Sequence, residues 1–508
     1  MTTIPDTKRL SYWLDSAPTS DYPKLTKSLT VDVAVVGAGI VGVTAALFLK
    51  ERGLTVALVD SGRVAGGVTA NTTAKVSSAH GLHYEAVRSS FGDDGASAYA
   101  TANQWGLEKM AELVEQRAID CDWRRKPALI YSVDPGQRDD FDKELAAARN
   151  AGLPVTRADE GAGELPFAID RALRYDGQAE FHPVKYLRHL AGEIPGGGSH
   201  VFECSRVVSA KDGRPATVTT RDGATVTADN VIVATHFPFL DRGLYFARMH
   251  AERSYAIGLF VGDSQVEGMY LSTESPSHTI RSIPTERGEM LMVGGESHKV
   301  GQADEAARYA AVEAWAREHW DVREVAYRWS TQDAMPVDGV PFIGKHQPGA
   351  KSLWVATGFM KWGLAAGTAA AQILTDRVLG GEPPSWAGRF DATRLTPIAS
   401  ATEFVKENAN VAKRMVGDHV ASADYGSTDD IPRGEGGTVR RGTKKIGVYR
   451  DEGGELHAVS TTCTHLGCAV VWNTGERSWD CPCHGSRFDP YGRVLEGPAV
   501  QDLSPVDL

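Results

Sequence analysis

The run from Val31 to Asp60, VDVAVVGAGIVGVTAALFLKERGLTVALVD, limits what this chain can become more than any other stretch. Val31 to Val36 is an unbroken apolar segment, the pattern of a strand buried on both faces. Gly37-Ala38-Gly39-Ile40-Val41-Gly42 follows and opens a helical pattern to Arg52, with Gly53 as its stop and a second strand closing on Asp60. Gly37 suits a tight turn, Gly39 leaves room for a pyrophosphate, and Gly42 lets helix and strand pack closely. The helix start offers free N–H groups and the positive end of a dipole. Asp60 stands where a carboxylate accepts from a ribose hydroxyl. The spacing therefore predicts a dinucleotide-binding unit heading an α/β domain. An ordinary glycine-rich turn in a parallel sheet is the alternative, but it would not require Asp60.

At 508 residues the chain exceeds a single core, and two or three domains are expected. A formal net charge of -11 argues against nucleic acid or an anionic membrane surface as a partner. No apolar run reaches spanning length, and the first thirty residues show neither a basic start with an apolar core nor a twin arginine, so the reading is a cytoplasmic protein with no transmembrane segment. Of six cysteines, Cys463, Cys468, Cys481 and Cys483 crowd near the C-terminus while Cys121 and Cys204 stand alone. That crowding points to a metal centre rather than a secreted disulfide framework.

Residues 1–30 read as a polar strap without chemistry. After Asp60, the loop GGVTANTTAK (Gly66 to Lys75) offers small residues and hydroxyls suited to a flat ligand. Ala98 to Gln116 has helical apolar spacing. Between Val201 and Val233 alternation is broken at Asp212-Gly213 and Asp222-Gly223, the mark of successive hairpins ending in the buried strand DNVIVAT. The region 237–327 carries Arg253, Tyr255, His278, Arg281 and His298 and reads as a substrate-facing layer. PVDGVPFIG, the strand Leu353 to Thr357 and Gly358-Phe359-Met360-Lys361-Trp362-Gly363 then place small residues and a helix start at a strand's carboxyl end, where open α/β sheets bind ligands.

Together these segments resemble FAD-dependent oxidoreductases of the D-amino-acid oxidase and glycine oxidase superfamily over most of residues 30–380. The resemblance implies an α/β FAD-binding domain, Rossmann-like and of the glutathione-reductase type, with an inserted α+β substrate domain whose antiparallel sheet roofs the flavin ring. It favours FAD over NAD, since no second fingerprint is present; Gly161-Ala162-Gly163 opens no helix. FAD-binding segments are expected at about 31–90, 150–240 and 325–380, with Gly37, Gly39, Ile40, Val41, Gly42, Asp60, Gly66, Gly67, Thr69, Thr73, Ala234, Gly358, Lys361, Trp362 and Gly363 as cofactor-binding residues. Lys361 resembles in position a flavin-facing residue able to stabilise negative charge on the reduced ring; a solvated lysine is the alternative. Arg253, Tyr255, Arg281 and His298 are candidates for holding a substrate carboxylate or serving as base, with structural roles as the alternative.

A linker with one helix (Thr402 to Met415) spans 381–427, and residues 428–508 read as a separate small β domain. Its signal is Cys463-Thr464-His465-Leu466-Gly467-Cys468 and Cys481-Pro482-Cys483-His484-Gly485-Ser486, one Cys and one His from each loop, each with a spare Cys. With the two spare cysteines the six donors overfill a tetrahedral zinc site, the alternative for such a cluster. The pair resembles the Rieske 2Fe-2S proteins of cytochrome bc complexes, through Phe488-Asp489, Gly492 and Gly497-Pro498-Ala499. That resemblance implies an all-β Rieske domain in which Cys463 and Cys481 hold one iron, His465 and His484 the other, and Cys468 and Cys483 form a disulfide. At Phe488 high-potential relatives carry a tyrosine whose hydroxyl donates to a ligand sulfur; its loss predicts a lower potential here.

The expected function is an FAD-dependent dehydrogenase that oxidises a small amine, amino acid or related C–H substrate and passes electrons singly through the cluster to an external acceptor, a protein or a quinone. The alternatives are an electron-transfer component fed by a pyridine nucleotide or protein donor, and a flavoenzyme whose Rieske domain serves redox sensing or docking.

Overall fold

The apolar run Leu29–Val36 forms the centre of an eight-stranded sheet. A computed structural model describes the chain except residues 1–6, 160–163, 263–265, 395–400, 421 and 443, so Gly161 to Gly163 lie outside the described residues. Strand order is Phe342–Lys345, Leu353–Thr357, Thr225–Val233, Leu29–Val36, Val56–Val59, His200–Phe202. All pairings along it are parallel except that of Phe342–Lys345 with Leu353–Thr357. The hairpins expected at Asp212-Gly213 and Asp222-Gly223 are present as the strands Val207–Lys211 and Ala216–Thr220, which lead into Thr225–Val233.

The fingerprint turn closes against that sheet. Gly37 has φ 104°, and a Cβ there would stand 2.4 Å from the Ala234 carbonyl oxygen; at Gly42 it would stand 1.7 Å from the Gly37 oxygen. No side chain fits at either position. The helix Ile40–Glu51 follows, and Gly367 of the helix Gly363–Val378 packs on Ile40, so both helices share one layer with the long helix His83–Gln116, which is interrupted at Gly92.

A nine-stranded, mainly antiparallel sheet forms the second layer. It takes in Arg171–Glu180 and Val322–Pro336, which the expected FAD segments at 150–240 and 325–380 had included, and also the short strand Lys75–Val76. Pairing places them there: Arg171–Glu180 lies antiparallel to Arg124–Ser132, and Val322–Pro336 to Met249–Val261. Such partners are distant in sequence and leave no local spacing signal.

The N-terminal strap is part of the core. Trp13, in the short helix Tyr12–Ser16, is 1% exposed and donates its indole N–H to the Thr72 carbonyl at 2.8 Å. At the other end, the helix expected over Thr402 to Met415 runs Ala401–Val420. A three-stranded and a four-stranded sheet follow, between Glu435 and Glu496. No helix among the described residues is long and apolar enough to cross a membrane.

Candidate functional site

The two layers enclose a cavity of about 500 Å³. At one end it is lined by Gly37, Gly39, Ile40, Val41, Asp60, Gly67, Thr69, Thr73 and Ala234. The Asp60 carboxylate accepts from the Ala38 N–H at 2.6 Å and the Gly62 N–H at 2.7 Å, and burial raises its pKa. Gly39 gives the helix Ile40–Glu51 no side-chain cap, and among the described residues only the Ile40 N–H is met by a side chain, Thr69 Oγ1 at 3.3 Å, so the positive end of the helix faces the cavity. Trp362 and Gly363 start the second uncapped helix, and both line the same cavity. Gly42, Gly66 and Gly358 shape backbone instead of the wall: a Cβ would meet the Gly37 oxygen, the Arg63 oxygen and the Pro336 ring respectively.

Lys361 lies at the far end. Its ammonium donates to Ser254 Oγ at 2.9 Å and Ser297 Oγ at 3.0 Å, and stands 3.3 Å from Asp333 and 3.5 Å from Glu252. Those two carboxylates outweigh burial and raise its pKa, so the cation is fixed. Glu252, hydrogen-bonded by His250 and facing Lys361, is held down at about 2 despite burial. Lys75 also lines the cavity, donating to the Tyr270 carbonyl at 2.6 Å and to Thr279 Oγ1. Burial, with Arg281 nearby, pushes its pKa down to about 7.

The C-terminal loops form a second site. The Cys463 carbonyl accepts from the Gly467 N–H and the Cys481 carbonyl from the Gly485 N–H, both at 3.0 Å, so both loops are the same tight turn. Cys468 and Cys483 are joined by a disulfide that ties them together, leaving Cys463 and Cys481 as free, buried thiols in contact with each other. The imidazoles of His465 and His484 lie perpendicular with centroids 5.0 Å apart. Nδ1 of each is buried without a hydrogen-bond partner, and burial beside His465 drives His484 down to about 3, holding it neutral. Two thiols and two imidazole Nδ1 atoms without a partner are the donor set of a cluster with sulfur on one iron and nitrogen on the other. The residues therefore fit such a cluster, as the glycine cradle and cavity fit a dinucleotide.

Residues 32–377 match the family described as FAD dependent oxidoreductase (DAO), and residues 423–506 match the Rieske [2Fe-2S] domain. The chain belongs to the FAD-dependent oxidoreductase family and ends in a Rieske domain. It is similar to the "Putative Rieske 2Fe-2S iron-sulfur protein YhfW" of Bacillus subtilis (strain 168), 35% identical over 500 residues, 98% of this chain and 97% of that one. Gamma-glutamylputrescine oxidoreductase of Escherichia coli (strain K12) is 28% identical over 228 residues, 44% of this chain and 53% of that protein. Glycine oxidase from Geobacillus kaustophilus shares the fold, with TM-score 0.59 at 18% identity, covering 72% of this chain and 99% of that one.

In this FAD-dependent oxidoreductase the Rieske domain is seated directly on the flavin domain. Gln332 lines the cavity and donates to the Gly485 carbonyl, next to His484, at 2.7 Å. His465 Nε2 bonds Asp241 at 2.8 Å. A carboxylate there accepts, so Nε2 carries the proton and Nδ1 is left bare for iron. Phe246 packs edge-on against both imidazoles, at 5.8 and 6.3 Å.

Of the remaining sequence candidates, Tyr255 borders the cavity, and Arg253, Arg281 and His298 do not. Arg253 is 1% exposed, donates to Ser330 and Gln332, and lies 3.6 Å from Asp480 of the Rieske domain. Arg281 pairs with Glu180 at 3.2 Å and donates to the Thr73 and Ala74 carbonyls, bracing the loop that runs from Gly66 to Lys75. Tyr255 contributes to the cavity wall, but its hydroxyl is bonded to His298 Nε2 at 2.9 Å. His298 Nδ1 reaches the Lys299 carbonyl, so the hydroxyl is the donor and the ring is neutral, as burial also dictates. Lys75, Ser254, Ser297, Glu252, Gln332 and Asp333 were not singled out from sequence. A period-two count along Met249–Val261 groups Glu252 with Ser254, but a register irregularity between Arg253 and Tyr255 lets Ser254, Tyr255 and Ala256 all border the cavity, so the count alone does not separate the wall from the rest.

Proposed function

We propose that this enzyme is a dehydrogenase for a small amine or amino acid, with electrons leaving the flavin singly through the Rieske cluster to an external protein or quinone. The observation that carries this reading is the shared wall: Gln332 borders the cavity and bonds Gly485 within the second cluster loop. Bound FAD supplies a two-electron acceptor and the cluster a one-electron relay. In the proposal Cys463 and Cys481 hold one iron, His465 and His484 the other.

The chain's own groups have distinct tasks in this reading. Lys361, held by Ser254 and Ser297, keeps a positive charge where the reduced ring gains negative charge, and the start of the helix Gly363–Val378 adds its dipole. Lys75 takes the proton from a bound ammonium, since an amine gives up hydride only as the free base; a pKa near neutrality equips it for that. Tyr255 and His298 form a neutral donor–acceptor pair that fixes the wall. Arg253 is assigned to the domain junction, and Arg281 to the loop Thr73–Ala74. The cytoplasmic location read from sequence is kept as part of the proposal.

Anaerobic mixing with a panel of amines, amino acids and hydroxy acids tests this. Bleaching of the flavin by one amine or amino acid supports the proposal. Bleaching by NAD(P)H alone replaces it with a relay fed by pyridine nucleotide.

A further inference from the structure

The cavity is not closed by the flavin domain alone. Leu495, Glu496, Gly497, Ala499 and Val500, from the last strand of the Rieske domain and the turn after it, line the same space as the glycine fingerprint and Asp60. Two arginines of the flavin domain hold this strap. Arg206 donates to the Val494 carbonyl at 3.0 Å and the Leu495 carbonyl at 3.3 Å. Arg221 donates to the Val500 carbonyl at 2.9 Å and pairs with Asp502 at 3.0 Å. Asp502 in turn accepts from the Val494 N–H at 2.8 Å, closing the strap on itself.

The chain fixes which end of the cavity the strap covers. Ser205, the neighbour of Arg206, donates its N–H to the Asp60 carbonyl at 2.7 Å, so Arg206 stands beside the tip of the second strand. In a dinucleotide fold the carboxylate at that tip faces the ribose of the adenosine half. Glu496 adds a polar group there: Oε1 accepts from Arg487 at 3.1 Å, whereas Oε2 is buried with no partner. The strap is also tied to the cluster, because the Ala499 N–H donates to Ser486 Oγ at 3.0 Å.

We infer that Val494–Asp502 is the second half of the adenosine subsite, a wall from the Rieske domain that retains FAD. Glu496 Oε2 is the acceptor for a ribose hydroxyl or the adenine amine. Flavin retention and Rieske docking are then reciprocally linked, since whatever binds only the docked form stabilises docking by the same factor. The inference rests on FAD binding and is independent of the substrate.

Arg221 lies outside the cavity, so Arg221→Ala unties the strap without touching the cofactor wall. Holoprotein of this variant, diluted into buffer, is expected to release FAD about tenfold faster by the rise in flavin fluorescence, the loss of charge-assisted contacts; Arg221→Lys should recover part of the difference. A release rate equal to the parent's overturns the inference. Hydrogen exchange on the flavin-free full chain gives an answer that needs no variant. ADP should protect the amides of 494–502 together with those of 37–42, and riboflavin should leave 494–502 unchanged. Protection of 37–42 by ADP without protection of 494–502 overturns it as well.

Discussion

The Rieske site draws its thiols, imidazoles and disulfide from two loops lying between Cys463 and His484. The cavity draws its wall from the fingerprint, the loop after Gly66, five strands of the antiparallel sheet (Met249–Val261, Met269–Ser272, His278–Thr285, Gly288–Lys299 and Val322–Pro336), the segment around Lys361 and, at one end, the Rieske domain itself. The first site is local chemistry on a small scaffold. The second exists only when distant strands pair and two domains dock. The comparison teaches that the cluster's properties follow from residues next to it, whereas the cavity's depend on register.

The sharpest break between the two sites is His484→Ala. It removes a buried imidazole whose nitrogens have no other partner, and the Rieske paramagnetic signal should vanish while flavin and its bleaching by substrate remain. Loss of both would mean that the sites are not separable. Next, Lys361→Met leaves Asp333 and Glu252 without their cation. Flavin reduction in single-turnover mixing should slow by about 10²-fold, the scale of one preorganised electrostatic group.

Lys75 sharpens the comparison through pH. A lysine at about 7 is the free base above that value, so flavin reduction should rise as pH increases through about 7 and then level off. In Lys75→Met the rise should be absent. Arg253→Leu probes the seam, leaving Asp480 paired with Arg487 at 3.2 Å and still hydrogen-bonded by Asn473 and Ser478. A loss of about 2 kcal/mol is expected in denaturant unfolding, below the usual figure for a fully orphaned buried charge. The smallest effect is local to the cluster. Phe488, fully buried at the position where high-potential relatives carry tyrosine, gives Phe488→Tyr a midpoint raised by roughly 50 mV, about one added hydrogen bond.

Sequence made the grouping of thiols and imidazoles in the Rieske domain legible, since within each loop the Cys, the His and the disulfide Cys stand within a few residues of one another. The glycine fingerprint was legible for the same reason. Around the substrate end, the direction each side chain takes from its strand decided. Arg253, Tyr255 and His298 are chemically attractive, but Arg253 turns to the Rieske domain and the Tyr255 hydroxyl to His298, while the neighbouring Ser254 and Ser297 reach Lys361. A shift of one residue along a strand exchanges its faces, and nothing local in this strand marks which face meets the cavity. Arg281 directs its guanidinium to Glu180 and to the Thr73 and Ala74 carbonyls, partners that no local spacing reveals. The role of the first thirty residues was hidden because one tryptophan in a polar strap gives no periodicity, yet Trp13 is core.

The central claim is that flavin and cluster act in series within one chain, and freeze-quench spectroscopy of anaerobic holoprotein mixed with a bleaching substrate tests it most directly. The account predicts that the reduced-cluster signal grows as flavin absorbance partly recovers, at a rate independent of protein concentration. A cluster that stays oxidised beside a fully reduced flavin, or one reduced at a rate proportional to protein concentration, would contradict it.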